Sequence, residues 1–309
     1  MNFLRQLLFL VPGYRAHTIK PALLTRIFNA PSPIFKETGI MNTIRIVPDS
    51  AYQGEGISKG LARGLLVYYG DCNLTGEGMG IGSIALRDHE CTYFSRSWTD
   101  STEAGVIKRT FTLDTRMIWG IRGKTSNFLT RWIESGISAY MQLPWFQSIL
   151  MLPVLPLRTL LDIHPFFETI PPRGKVTFTY TVTGQNLEVH VESTMPVRPK
   201  DTLCLLNELS AAWFTAGWDG NRMATPPPAW EKVGSDQLPV SLVDPVHGIR
   251  FFMGRPSVSP SVPHTIYRGR EKSGDLCWAG FCLELGPLDG VEGSLEARYC
   301  IGFSQGAFP

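Results

Sequence analysis

Asp219 has surroundings in the sequence that could support proton transfer. It lies between Trp218 and Gly220 in the stretch GWDGN, and a carboxylate beside an indole ring loses water and can carry a raised pKa. A carboxylic acid that titrates near neutrality suits a general acid. The competing interpretation of Asp before Gly is an ordinary turn, in which the carboxylate accepts hydrogen bonds from nearby amides.

Two histidines have comparable surroundings. His89 lies between Asp88 and Glu90, and neighbouring negative charge raises a histidine pKa and favours a role as acid or base. In the stretch DPVHG, the spacing of Asp244 and His247 over a proline turn allows a hydrogen bond between them. Both stretches also fit plain turns between strands. Together with the carboxylate in GWDGN, these two histidines are the candidate catalytic residues.

Aromatic residues are numerous enough to line a pocket for an apolar ligand. The chain has eight tryptophans, and small-molecule pockets are lined mostly by apolar and aromatic side chains with a few polar groups. We take Trp218, Trp278 and Tyr180 as the candidate ligand-binding residues. The expected partner is a hydrophobic small molecule.

The sequence contains no motif for a nucleotide or a metal ion. Walker A, H-E-x-x-H, G-x-S-x-G and S-x-x-K patterns are absent, and the six cysteines lack C-x-x-C spacing. The glycine ladder formed by Gly76, Gly78, Gly80 and Gly82 leads into a predicted strand, whereas a dinucleotide loop opens a helix. We interpret the ladder as tight packing or a flexible turn, with close approach of a ligand as the alternative. No cofactor and no metal site are predicted.

Composition narrows the class of protein. Hydrophobic residues make up 43% of the 309 residues and charged residues 18%, which is below the typical level of about 25%. The 29 basic and 27 acidic residues give a net charge of +2, so no broad positive field exists to hold nucleic acid. The chain is expected to fold around a large core, without a nucleic-acid partner.

The strongest local pattern is a β-hairpin over residues 175–193. In KVTFTYTVT, apolar residues alternate with threonines, and after a turn at residues 184–186 the stretch LEVHVES alternates leucine and valine with polar residues. The pattern predicts that one face of this hairpin is buried, with the apolar side chains Val176, Phe178, Val182, Val189 and Val191.

Further strand candidates lie at residues 43–47, 65–69, 83–87, 92–98, 106–113, 117–120, 249–253, 276–285 and 295–303. Short strands with turn signals between them favour a mainly β fold, an antiparallel barrel or sandwich. Two β lobes, residues 41–160 and 161–309, fit this distribution as well as one continuous sheet does. Two helices are expected between the strands, one beginning after Ser126 and one beginning after Asp201 in LCLLNELSAAWF.

Two segments raise the question of membrane contact. Residues 135–157 carry no charge but contain three prolines, which predicts an apolar helical segment that covers a sheet, a ligand or a membrane surface rather than a spanning helix. Residues 1–40 form a basic N-terminal extension whose first 36 residues contain no acid. This extension fits a targeting signal, a membrane-surface segment or an unstructured extension. Location therefore stays open between membrane-associated, organellar or exported, and cytoplasmic.

The leading functional hypothesis is a cofactor-independent protein that binds an apolar molecule of the terpenoid, pigment or polyketide class, and that isomerises, hydrates or cyclises it if it is an enzyme. Fold-level analogy alone connects such a chain with lipocalin-like barrels and with the barrel-shaped hydratases and cyclases of pigment and terpenoid pathways. The alternatives are a noncatalytic membrane-peripheral or assembly factor and a carbohydrate-binding β-sandwich.

Overall fold

The computed structural model describes residues 39–41, 44–48, 60–88, 91–103, 105–121, 163–183, 186–218, 223–224, 230–273, 276–289, 291 and 294–306. These residues form strands and a single 3-10 turn at Ser235–Gln237. The strands are β1 Gly39–Met41, β2 Ile44–Pro48, β3 Leu65–Tyr69, β4 Cys72–Asn73, β5 Gly80–Arg87, β6 Thr92–Glu103, β7 Val106–Ile121, β8 Ile163–Thr169, β9 Lys175–Thr183, β10 Asn186–Ser193, β11 Thr202–Leu209, β12 Ala216–Trp218, β13 Met223–Ala224, β14 Glu231–Val233, β15 Val240–Asp244, β16 Ile249–Met253, β17 Ser257–Ser259, β18 His264–Ser273, β19 Leu276–Leu285 and β20 Leu295–Gln305.

The strands pair antiparallel in one large sheet that is not closed, which confirms the mainly β class. One group of strands runs in the order β14–β18–β19–β11–β5, and a second group runs in the order β7–β9–β10–β20–β16–β15–β12. The strand β6 pairs with both β5 and β7 and so connects the groups. Strands before and after residue 160 pair with each other, and the division into two lobes stays a prediction.

The inner faces of the two groups share one hydrophobic core, which we call the main core. The ring of Phe251 on β16 lies 4.7 Å from the ring of Phe281 on β19. The hydroxyl of Tyr299 on β20 donates to Oδ1 of Asn207 on β11 at 3.3 Å. Side chains of the two groups therefore contact each other directly, through ring packing and through a hydrogen bond.

The predicted hairpin is confirmed as β9 and β10. Its apolar face is buried in the main core, where Phe178 is inaccessible to solvent and its ring meets that of Phe111 edge-on at 5.5 Å. Val182, next to the turn, is only partly buried. Strict alternation predicts such a strand well because one of its faces packs in the core and the other faces polar surroundings.

The predicted helix after Asp201 is wrong, because residues 202–209 form the strand β11. This strand lies between β5 and β19 and every one of its side chains is buried. A continuous apolar run fits a buried helix and a strand with two covered faces equally well. Asp201 instead accepts hydrogen bonds from the N–H of Arg198 at 2.9 Å and from the guanidinium of Arg173 at 2.7 Å.

The glycine ladder is packed against neighbouring strands. A Cβ atom on Gly78 would lie 2.7 Å from the carbonyl oxygen of Glu208, and one on Gly82 would lie 2.3 Å from the hydroxyl of Tyr180. Gly82 also has a φ of +76°, which favours glycine. The interpretation of the ladder as tight packing is confirmed.

Several predictions fall on other parts of the chain. Residues 1–38 of the N-terminal extension, the helix after Ser126 and the uncharged segment 135–157 lie outside the described residues. Within the described ranges, no helix has both the length and the apolar character that a membrane crossing requires.

Candidate functional site

The structure brings Asp244 and His247 together, as their spacing predicted. Asp244 ends β15 and is inaccessible to solvent, and its Oδ2 lies 2.6 Å from Nδ1 of His247. Its Oδ1 accepts the backbone N–H groups of Val246 at 2.9 Å and of His247 at 3.3 Å. One carboxylate therefore stabilises the turn and orients the imidazole ring.

Aromatic rings flank this histidine. The ring of His247 lies 5.4 Å from that of Tyr69 and 5.1 Å from that of Trp213, and its side chain is 21% exposed. The side-chain amide of Gln305 donates to the hydroxyl of Tyr69 at 2.7 Å. Because Nδ1 contacts the carboxylate, Nε2 is the ring nitrogen left for any further partner of His247.

Of the other predicted site residues, Tyr180 and Trp278 lie in two different apolar regions. Asp219 and His89 lie outside the described residues, and they stay predictions. Trp218 is partly buried at the end of β12. Tyr180 is buried in the main core, where its hydroxyl donates to the carbonyl of Gly82 at 3.1 Å. Its contacts there are those of a packing residue.

Trp278 belongs to a second apolar region, on the outer face of the strands that build the main core. We call this region the outer cluster, and it comprises the buried residues Ala85, Cys204, Leu206, Trp230, Tyr267, Trp278 and Cys282 with the partly buried Phe94. The rings of Trp230 and Trp278 stack at 4.4 Å with an angle of 21° between their planes. The strand β11 thus has apolar side chains buried on both faces.

Two acidic side chains continue the outer face beyond the apolar residues. Glu208 on β11 pairs directly with Gly280, and Glu271 on β18 pairs directly with Trp278. Directly paired residues of antiparallel strands point to the same face, and so do residues two apart on one strand. Glu208 and Glu271 therefore lie on the face that carries Trp278, and both are buried.

The surroundings of Glu208 change its acidity. Burial raises the pKa of Glu208 from 4.5 to about 7, and the charge of Glu271 acts in the same direction. The N–H of Met79, which donates to Oε2 at 3.2 Å, and the charge of Arg63 oppose this rise in pKa. A carboxyl group with this pKa can both give and take a proton near neutral pH.

Arg63 is fixed beside this acid by the glycine ladder. Its Nη2 donates to the carbonyl oxygens of Gly76 at 2.9 Å and of Gly78 at 2.5 Å. The ladder thus has a chemical consequence as well as a packing one, because it holds a guanidinium and the N–H of Met79 near the carboxyl group of Glu208.

Polar atoms without partners border the outer cluster on the side of β5 and β6. Ser83 Oγ, Arg87 Nη1 and Thr92 Oγ1 are buried and have no hydrogen-bond partner in the part of the chain that the structure describes. Arg87 uses its other terminal nitrogen, Nη2, to pair with Glu284 at 3.1 Å. Buried polar atoms of native proteins normally have partners, so a water molecule or a ligand oxygen is the expected partner of these three atoms.

A third group of residues could hold a metal ion. Ligand atoms of His190, Glu192 and Glu296 all lie within 4.8 Å of one another on the outward face of β10 and β20, and all three residues are partly exposed. Arg298 lies 4.0 Å from Glu296 and would compete with a cation for that carboxylate. No metal-ligand spacing in the sequence marks these residues, because two adjacent strands bring them together.

Sequence reasoning missed Glu208 and Glu271. Glu208 lies in LCLLNEL. Once this apolar run is taken as a strand with two buried faces, its single acid is a signal of a buried carboxylate. Glu271 offers no such signal, since REKS resembles any polar strand end. Its burial depends on which residues surround it in space.

The chain has a distant likeness to solved structures of one glycosidase. It is similar to the alpha-N-acetylgalactosaminidase NagBb from Bifidobacterium bifidum in complex with GalNAc, at 9% sequence identity and a TM-score of 0.41, and to the ligand-free form, at 10% and 0.38. Each likeness covers 87% of this chain and 36% of that chain. No family model and no curated protein matches the sequence.

Proposed function

We propose that the protein binds an apolar small molecule at the outer cluster and exchanges a proton with it through Glu208, without a cofactor. One observation carries this proposal. A buried carboxyl group with a pKa of about 7 shares a strand face with the stacked rings of Trp230 and Trp278. The substrate belongs to the terpenoid, pigment or polyketide class, and the reaction is an isomerisation, hydration or cyclisation.

The side chains of the outer cluster favour an apolar ligand. Its members are aromatic, aliphatic or thiol side chains, and protonated thiols behave as small hydrophobic groups. A hydrogen bond with Cys204 and burial hold the pKa of Cys282 well above its usual range, so this thiol stays protonated. Cys282 is therefore expected to contact a ligand rather than attack it or bind a metal.

Glu208 supplies the reactive group of this proposal. Protonation or deprotonation of a carbon is the first step when a polyene isomerises, takes up water or cyclises, and a positioned acid or base contributes about 10²- to 10⁴-fold to such a step. Burial sets most of the balance between the two forms of Glu208, the N–H of Met79 and the charge of Arg63 favour the charged form, and the charge of Glu271 favours the protonated form. We assign His247 the role of second candidate, because its oriented imidazole could also exchange a proton.

The test uses whatever apolar compound copurifies with the full-length protein. The compound is extracted, identified by mass spectrometry and returned in D₂O to the wild type and to the variants Glu208→Gln and His247→Asn. Glutamine keeps the shape of the protonated acid, and asparagine keeps a donor towards Asp244. We expect the wild type and His247→Asn to introduce deuterium into the compound and Glu208→Gln to fail.

Two results would contradict the proposal. Deuterium uptake that survives in Glu208→Gln but disappears in His247→Asn would show that His247, and not Glu208, exchanges the proton. A protein that copurifies with no apolar compound but binds soluble glycans or liposomes saturably would favour the carbohydrate-binding or the membrane-peripheral alternative.

A further inference from the structure

The outer cluster has a polar end opposite Glu208, formed by Arg87 and Thr92, which we call the anchor. We infer that the ligand is an elongated amphiphile whose carboxylate or carbonyl oxygen binds the anchor while its apolar chain extends towards Glu208. This inference rests on the proposed function, since it specifies the ligand of the same site.

The orientation of the anchor follows from strand pairing. Arg87 on β5 pairs directly with Thr92 on β6, and the neighbouring pair Leu86 and Tyr93 is buried in the main core. Adjacent residues of a strand point to opposite faces, so Arg87 and Thr92 point to the outer face. In the part of the chain that the structure describes, Arg87 Nη1 and Thr92 Oγ1 are therefore donors without a partner, on neighbouring strands and on one face.

The charge of the anchor limits the head group. Arg87 forms an ion pair with Glu284, which offsets part of its positive charge. A phosphate with two negative charges would meet little net attraction here, whereas one carboxylate or carbonyl oxygen matches the two unpartnered donors.

The distance between the anchor and Glu208 sets the length of the ligand. Arg87 pairs with Thr202, which lies six residues before Glu208 on β11. At about 3.3 Å per residue, the two ends of the site are roughly 20 Å apart.

The residues between the two ends fit a chain that carries an oxygen part of the way along. Cys204 and Leu206 follow Thr202 on the outer face of β11, and the small side chain of Ala85 lies opposite Cys204. Ser83 lies opposite Leu206, and its buried hydroxyl, which has no partner among the described residues, can bind a hydroxyl or keto oxygen of the ligand chain.

The inference is tested with cis-parinaric acid, a polyene carboxylic acid that fluoresces when bound, together with its methyl ester and its alcohol. These probes are titrated into the wild type, Arg87→Met and Thr92→Val. Thr179→Val, on the separate strand β9, is the matched control. Loss of a hydrogen bond to a charged group predicts that Arg87→Met weakens binding of the acid about 10- to 100-fold, and Thr92→Val several-fold.

The three probes separate the head groups. If the anchor uses the charge of a carboxylate, the ester binds the wild type more weakly than the acid does; if it uses a carbonyl oxygen, the acid and the ester bind alike. In both cases the alcohol binds weakly and the control behaves as the wild type. Equal binding of all three probes, or unchanged binding of the acid to both anchor variants, overturns the inference.

Two further variants separate this inference from the proposed function. Leu206→Trp and Cys282→Phe fill the middle of the outer cluster, and each is used if its melting temperature stays near that of the wild type. If they block all probes while the anchor variants bind normally, the site stands and the head-group assignment fails. If the probes bind the filled variants as they bind the wild type, the proposed function itself fails.

Discussion

Two buried carboxylates of this protein, Asp244 and Glu208, meet different partners. Asp244 contacts two backbone N–H groups and the ring of His247. Glu208 accepts the N–H of Met79 and lies near the charges of Arg63 and Glu271. Hydrogen bonds favour the charged form of a carboxylate, whereas burial opposes it. Asp244 therefore has these three contacts, whereas burial dominates the surroundings of Glu208 and raises its pKa.

The largest expected effect concerns the stabilising role of Asp244. The variant Asp244→Ala leaves the N–H groups of Val246 and His247 without their acceptor and frees the imidazole ring. Hydrogen bonds to a charged group contribute about 1.5 to 3 kcal/mol each, so we expect the free energy of unfolding to fall by about 3 to 5 kcal/mol. Urea denaturation at pH 7 measures this loss. A loss of less than about 1 kcal/mol would show that Asp244 does not stabilise the fold through these hydrogen bonds.

The pH dependence of stability tests the other carboxylate. Because the pKa of Glu208 rises from 4.5 to about 7 on folding, the folded state binds this proton more tightly than the unfolded state does. The resulting contribution is fully present below pH 4.5 and is lost as the pH rises through about 7. The loss amounts to roughly 3 kcal/mol.

The variant Glu208→Gln isolates this contribution. Glutamine stays neutral at every pH, so the variant and the wild type should have similar stability near pH 4.5. Near pH 8 the variant should be more stable by roughly 3 kcal/mol, because the wild type then holds a buried charge. Chemical denaturation at the two pH values makes the comparison. Parallel stability curves for the two proteins would show that Glu208 titrates normally.

The two carboxylates also show what the sequence could predict. Asp244 and His247 are three residues apart, and a contact of this kind depends on one local turn, which is why DPVHG predicted it. The neighbours of Glu208 come from distant positions, since Met79 precedes it by 129 residues. The spacing of residues along a short stretch of sequence cannot predict a contact between strands that are so far apart in the chain.

The success of strand prediction also depends on what the local sequence pattern can carry. Alternating segments such as the hairpin were predicted correctly because one face is apolar and the other polar. The segment at residues 202–209 was taken for a helix because both of its faces are buried, which removes the alternation. The same two-sided burial creates the outer cluster, so the feature that misled the prediction is also the one that builds the candidate site.

The smallest expected effect separates the ring of His247 from its hydrogen bond to Asp244. In His247→Asn, the side-chain amide can still donate to Oδ2, and only the contacts of the ring with Tyr69 and Trp213 are lost, so the cost should be about 1 kcal/mol. In His247→Leu, the apolar contacts survive in part but a buried carboxylate oxygen loses its donor, which costs about 1 to 3 kcal/mol. The asparagine variant should therefore be the more stable of the two in urea denaturation. The reverse order would mean that ring packing, rather than the hydrogen bond, holds this turn, and Asp244 would then lose its role in orienting the imidazole.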